Sequence, residues 1–139
     1  MASEMDGTDE KATALLYEST PLSAELGIEV VASTTDEVRT RLPWQQRLCT
    51  AGGILHGGAI MALGDTTGAM CAVANLPEGS GGTATIESKT NFLRPIGSGP
   101  ATAVARPLHV GRRVIVIETD IHDEQGRLAA RVTQSQAVF

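Results

Sequence analysis

Between Gly57 and Leu76 the larger apolar residues Ile60, Leu63, Met70 and Val73 return at three- to four-residue spacing, the period of one face of an α-helix. The opposite stripe, Gly58, Met61, Ala62, Asp65, Gly68, Ala69 and Ala72, is mostly small and lets another backbone or a ligand come close. Gly58, Gly64 and Gly68 each weaken helix propensity by up to ~1 kcal/mol relative to Ala, so packing on most sides has to hold this helix. A single carboxylate, Asp65, sits at the centre of the small-residue stripe.

Beyond the loop "PEGSGG" the period changes. Ala84, Ile86, Ser88, Thr90 and Phe92 alternate with Thr85, Glu87, Lys89, Asn91 and Leu93, the two-residue repeat of a β-strand. "PATAVARPLHV", "RRVIVIETDIHD" and "GRLAARVTQSQAVF" continue in the same manner, joined by turns too short for crossover helices. An antiparallel meander is expected. Upstream, "KATALLYEST" predicts a short helix that ends before Pro21, because the residue preceding a proline is driven out of the α region. "GIEVVASTTDEVRTRL" predicts two strands and a turn, and "PWQQRLCTAGG" an irregular loop that delivers the chain to His56. The fold class is therefore α+β: one long helix buried against one antiparallel sheet.

The chain has 139 residues, 42% of them hydrophobic and 19% charged, which is the balance of one ordinary globular domain. "MASEMDGTDE", residues 1–10, is expected to be a disordered leader, and 11–139 a single domain with no internal repeat. The acidic start lacks the basic and apolar segments of a signal or transit peptide. Formal net charge is −5 and no basic run exceeds the pair Arg112 and Arg113, so nucleic acid and anionic membrane are unexpected partners. A mid-helix Asp costs ~2.5 to 3.5 kcal/mol on insertion scales, which argues against a membrane span. Cys49 and Cys71 are too few and too far apart for a disulfide framework or a CxxC metal site, and free thiols suit the cytoplasm. Cys71 falls well around the helix from Asp65 and reads as a small packing residue. His109, His122 and Asp123 read as solvated strand and turn residues rather than a metal cluster.

An α-helix leaves its first N–H groups without internal partners and concentrates partial positive charge there, so His56-Gly57-Gly58 offers donors to an oxygen. Donors aimed at an oxygen that gains charge during acyl transfer form an oxyanion hole. A carboxylate in a partly dry groove is a stronger base, or attacks a carbonyl itself. Gly57 and Asp65, however, are eight residues apart, about 12 Å at ~1.5 Å per residue. One carbonyl cannot reach both at a reacting distance of ~3 to 3.5 Å. If both act on one substrate they come from different chains, which predicts a twofold dimer with antiparallel helices and paired sites.

"GILHGGAIMALGDTTGAM" followed by "TNFLRPI" resembles the hotdog-fold acyl-CoA thioesterases, in particular the branch with phenylacetate-pathway and bacterial 4-hydroxybenzoyl-CoA thioesterases. The resemblance covers nearly all of the chain after the leader. It implies a five- or six-stranded antiparallel sheet wrapped round the helix, dimers that commonly pair again into dimers of dimers, and no metal or redox cofactor. By position, Gly57 would offer its N–H to the thioester oxygen, His56 would support that loop, and Asp65 of the partner would be the nucleophile or the base that activates water. Arg94, Arg112 and Arg113 are candidates for coenzyme A phosphates, since guanidinium groups suit phosphate oxygens. Thr50 and Gly58 are candidate substrate contacts, and Trp44, Met61 and Phe92 candidate acyl-pocket residues.

Two positions depart from the family pattern. Thr50 stands where an Asn or Gln often precedes the histidine by six residues, and Ala69 where a Ser or Thr often follows the acid by one turn. Gln45, Gln46 or Thr66 offers a replacement donor. The expected activity is hydrolysis of an acyl- or aryl-acyl-coenzyme A. The alternatives are an acyl carrier protein thioesterase and a non-catalytic module that binds acyl thioesters.

Overall fold

The computed structural model describes residues 7–139. Asp9 caps the first helix, α1 (Glu10–Ser19), by accepting the Ala12 N–H at 2.9 Å, and its own N–H donates to Val30 O at 2.7 Å. Of the leader expected over 1–10, residues 1–6 lie outside the described residues, whereas Asp9 and Glu10 are part of the fold because that cap ties them down. Thr20 takes a non-helical conformation ahead of Pro21, as a pre-proline residue should. Pro21 then opens a second helix, α2 (Pro21–Leu26), which the sequence pattern does not announce because six residues are too few to show a repeat. It stops at Gly27, whose φ of 78° is the left-handed conformation of a helix C-terminus.

Strands β1 (Glu29–Ser33) and β2 (Val38–Leu42) form the expected hairpin. The loop that follows makes two tight turns, Gln46–Leu48 and Ala51–Gly53, before the long helix α3 (Gly57–Ala74). Strands β3 (Thr83–Phe92), β4 (Ala101–Val110), β5 (Val114–His122) and β6 (Leu128–Val138) complete one six-stranded antiparallel sheet, ordered β1-β2-β4-β5-β6-β3. The meander expectation therefore holds for β4-β5-β6 and fails for β3, which pairs with β6 at the far edge while β4 pairs with β2. The cause is α3, which packs across one face of the sheet and carries the chain from one edge to the other.

In β5, Ile115, Ile117, Thr119 and Ile121 are buried while their neighbours are less so, a strand with one face on the core. Leu63 of α3 is fully buried among these layers, together with Ile60, Ile121 and Val132. Full burial of such side chains contributes ~1.5 to 3 kcal/mol each. Two helix glycines explain how closely β6 approaches: a Cβ on Gly64 would lie 2.7 Å from Val132 Cγ2, and one on Gly68 would collide with the Gln134 amide. The small-residue stripe consequently divides. Gly68 and Ala72 face the protein's own sheet, whereas Gly58, Met61 and Asp65 are exposed and Ala62 and Ala69 half-buried. The apolar face divides too, since Val73 is exposed. In the single chain α3 is thus covered on one side and open on the other.

Strand β3 has an equally open flank. It pairs on one edge only, and most of its ten residues are exposed. A bulge between Thr85 and Glu87 inserts Ile86 as an extra residue opposite β6. Directly paired residues share a face, so Thr85, Ser88, Thr90 and Phe92 all lie toward the helix with Gln136, Gln134, Val132 and Ala130. The uninterrupted alternation expected across 84–93 is corrected accordingly: upstream of the bulge the inward set moves to the odd positions.

Candidate active site

His56 is the N-cap of α3, and its Nδ1 accepts the Gly58 N–H at 2.8 Å. The His56 carbonyl accepts the N–H groups of Ala59 at 2.9 Å and Ile60 at 3.1 Å. Of the first four helical donors, only the Gly57 N–H has no acceptor among the described residues. It belongs to a cavity of ≈ 410 Å³ that is also lined by Thr50, Ile60, Phe92, Arg94 and Ala130. The Phe92 ring lies over Gly57, so close that a Cβ there would stand 3.3 Å from Cζ. A helix start with one free donor, an apolar wall and an arginine at the rim can hold a polarised oxygen attached to an apolar group.

Asp65 opens elsewhere. Its cavity, of ≈ 670 Å³, lies between α1 and α3 and is lined by Leu16, Thr66, Ala69, Met70 and Val73. Asp65 Oδ1 accepts a hydrogen bond from Thr85 Oγ1 at 3.2 Å, and Thr85 Oγ1 accepts one from Gln136 Nε2 at 2.7 Å. The hydroxyl beside the acid therefore comes from the sheet. Thr66 and Ala69 merely share the cavity.

The fold brings Thr50, Gly57, Phe92 and Arg94 together in the first cavity. His56 and Gly58 line a neighbouring cavity with Leu22, Leu26 and Ala62, beneath α2. Met61 is 44% exposed on the open side of α3, away from the Gly57 cavity. Arg112 and Arg113 are not near Gly57 of their own chain. Arg113 O accepts the Val138 N–H at 2.9 Å, and Val138 pairs with Thr83, the opposite end of β3 from Phe92. Gln45 is engaged with Arg47, its Oε1 accepting from Nε at 2.8 Å, and Trp44 donates to Gly53 O at 3.2 Å from the rim of the core. Gln46 is exposed.

Among the described residues, no three His, Cys, Asp or Glu side chains are gathered as metal ligands, and no helix is long and apolar enough to cross a membrane. His109 is exposed, and Asp123 caps a turn by accepting from the Gln125 and Arg127 N–H groups. Cys71 is fully buried, and that burial pushes its thiol up to about 11, which removes it as a nucleophile near neutral pH. Thr85 and Gln136 were not legible as site residues in the sequence. Only the bulge turns Thr85 inward, and an irregular register leaves no mark in the alternation.

A long helix wrapped by a single antiparallel sheet, with a free donor at the helix start and an acid in its middle, defines a hotdog-fold protein. The chain belongs to the thioesterase superfamily, whose family profile matches residues 52–130. It is 34% identical over 118 residues, 85% of each chain, to the proofreading thioesterase EntH of Cronobacter turicensis. The crystal structure of a thioesterase from Haemophilus influenzae superposes with a TM-score of 0.86 at 31% identity, covering 98% of this chain and 93% of that one. A mutant thioesterase from Pseudomonas aeruginosa gives 0.83 at 27% identity, covering 91% and 92%. Membership supports thioester hydrolysis as the activity.

Proposed function

We propose that the protein hydrolyses the thioester of an acyl- or aryl-acyl-coenzyme A to the free acid and coenzyme A, at a site shared by two copies of the chain. One observation carries the reading: the free Gly57 N–H and the Asp65 carboxylate lie on one helix but open into separate cavities. The two open flanks, the outer edge of β3 and the uncovered side of α3, suit the same partner. If two β3 edges pair antiparallel about a point midway between Thr85 and Phe92, Thr85 of one copy comes to Phe92 of the other. Asp65, bonded to Thr85, then approaches the Gly57 under Phe92. Ten strand residues with an unpaired edge are a ready template for such pairing.

In that arrangement the Gly57 N–H donates to the thioester carbonyl oxygen as it gains negative charge. Asp65 of the second copy either attacks the carbonyl carbon or takes a proton from the water that does. The carbon–sulfur bond breaks and the thiolate leaves. On the first route water then hydrolyses the anhydride formed with Asp65 to the free acid, and on the second the proton taken by Asp65 passes to the thiolate. His56 holds the donor loop through its bond to Gly58. Arg94, beside the Gly57 cavity, and Arg112 and Arg113 of the second copy are the cations for coenzyme phosphates. The chemistry as written needs no metal or redox group. We assign the reaction to the cytoplasm, with dimers pairing again into tetramers.

The test is thiol release from a panel of short, long and aromatic coenzyme A thioesters, with wild type and Asp65→Asn side by side. Turnover by wild type that falls at least ~100-fold in the variant, with the oligomer intact, supports the reading. Undiminished turnover in the variant contradicts it. Thioesters bound but left intact by wild type point to a binding module, and preference for an acyl carrier protein thioester at equal concentration replaces coenzyme A as the carrier.

A further inference from the structure

We propose that Thr85 and Gln136 are positioning residues for Asp65, Thr85 as the donor that fixes its carboxylate and Gln136 as the group that makes Thr85 a donor. The inference rests on the reading of Asp65 as the acid that acts on the thioester.

Gln136 lies on β6, 1% exposed, directly opposite Thr85. Its Nε2 donates to Thr85 Oγ1 at 2.7 Å. A hydroxyl has one proton, so with a lone pair taken by Gln136 the proton is directed to the other neighbour, Asp65 Oδ1 at 3.2 Å. The amide orientation follows from the same logic. Reversed, Gln136 would present its oxygen to Thr85 and draw the proton away, leaving two oxygens, Thr85 Oγ1 and Asp65 Oδ1, facing each other without the hydroxyl proton between them. Gln136 Oε1 in turn lies 3.2 Å from Thr83 Oγ1, whose proton also serves Ala137 O at 2.7 Å. A buried amide thus holds its orientation with both of its ends engaged.

The bulge in β3 is the second, independent observation. Were the pairing regular through this point, with no bulge, the alternation from Ser88, Thr90 and Phe92 would set Ile86 against the helix and turn Thr85 outward. Ile86 is instead 64% exposed, and Thr85 faces Asp65. Re-aiming a side chain is what a bulge does beside a site. Asp65 stands on the open side of α3, where nothing else among the described residues bonds its carboxylate. With Oδ1 tied to Thr85, Oδ2 is left for the reacting molecule, and the carboxylate no longer samples free rotation before reaction.

The experiment measures kcat and KM on whichever coenzyme A thioester of the panel is turned over fastest. Thr85→Val is expected to lower kcat roughly ten- to hundredfold with KM unchanged within about twofold, because misplacement affects the reaction and not ground-state binding. Thr85→Ser, which keeps the hydroxyl, restores the rate. Gln136→Met lowers kcat, and the double variant Thr85→Val/Gln136→Met is no slower than Thr85→Val alone, since Gln136 acts through Thr85. Wild-type kcat in Thr85→Val, failure of Thr85→Ser to restore it, or losses that multiply in the double variant overturn the inference. Asp65→Asn separates the two levels. If it is inactive while Thr85→Val is not impaired, the positioning role fails and the role of Asp65 stands; if it remains active, the reading of Asp65 itself fails. Thr85→Ser keeps the acceptor of the buried Gln136 amide, so the contrast of Ser with Val, with melting temperatures confirming that both are folded at the assay temperature, decides the matter even where Gln136→Met does not fold.

Discussion

Thr85 and Phe92 point to the same side of one edge strand, the first bonded to Asp65 and the second lying over Gly57. Their partners on β6, Gln136 and Ala130, are six residues apart, about 20 Å at ~3.3 Å per residue. Acid and donor therefore belong to opposite ends of the strand, and the proposed twofold axis through its middle would exchange the ends.

A shared site predicts complementation. Gly57→Pro removes the free N–H while suiting the first position of a helix, and His56, at φ −61° and ψ 137°, already has a conformation that a following proline accepts. The new Cβ, 3.3 Å from Phe92 Cζ, requires the exposed Phe92 ring to shift slightly. Alone, Gly57→Pro is expected to lower kcat about 10²- to 10³-fold, and Asp65→Asn at least as much. Refolded together in equal amounts, random twofold pairing regenerates one intact site in half of the dimers, about a quarter of wild-type activity. Activity no higher than either parent would place both groups in one chain's site.

Gly68→Ala tests the contact between α3 and β6. Alanine gains up to ~1 kcal/mol of helix propensity. Its Cβ, however, meets the buried Gln134 amide, and overpacking of this kind costs ~1 to 3 kcal/mol. A lower melting temperature is expected, and lower still for Gly68→Val. By contrast, Ala69→Ser on the half-buried side should leave the melting temperature near wild type.

The two thiols should react at very different rates. Cys71 has no exposed surface and a thiol pushed up to about 11 by burial, whereas Cys49 is only half-buried. With a colorimetric disulfide reagent near pH 8, the native protein is expected to release one thiol equivalent promptly and the second only on unfolding. Prompt reaction of both would show that the contact between α3 and β5 opens readily.

Asp120 and Arg131 pair across β5 and β6 in a two-pronged ion pair, with contacts of 2.7 and 3.1 Å. The Arg131 hydrogen bond, ahead of the partial burial that opposes it and aided by the charges of Arg131, His122 and Arg106, holds the Asp120 carboxyl below its ordinary value. The folded state thus binds this proton less tightly than the unfolded one. The pair's contribution is present above the ordinary carboxylate value, ~3.9, and is lost as pH falls through the lower folded value. Asp120→Asn should be less stable than wild type at neutral pH, with the gap in urea midpoint closing as the pH is taken below about 4. A gap that stays constant into acid would refute the pairing as its source.

Much of this molecule is written in local pattern. The three- to four-residue return of Ile60 and Leu63 marks α3, and the placement of His56, Gly57 and Asp65 on it follows from helix geometry alone, as does the conclusion that one chain cannot bring donor and acid together. Strand segments from Thr83 onward were legible for the same reason, since period and turn chemistry involve neighbours in the chain. What depends on partners far away in sequence was not. The departure of β3 to the far edge, the splitting of the small-residue stripe by Val132 and Gln134, and the inward turn of Thr85 at a bulge all arise from pairing with β6, a strand much further along the chain. Periodicity reports which face of an element is buried against something; only the packed chain decides against what, because register and close approach are set by the matching of two surfaces.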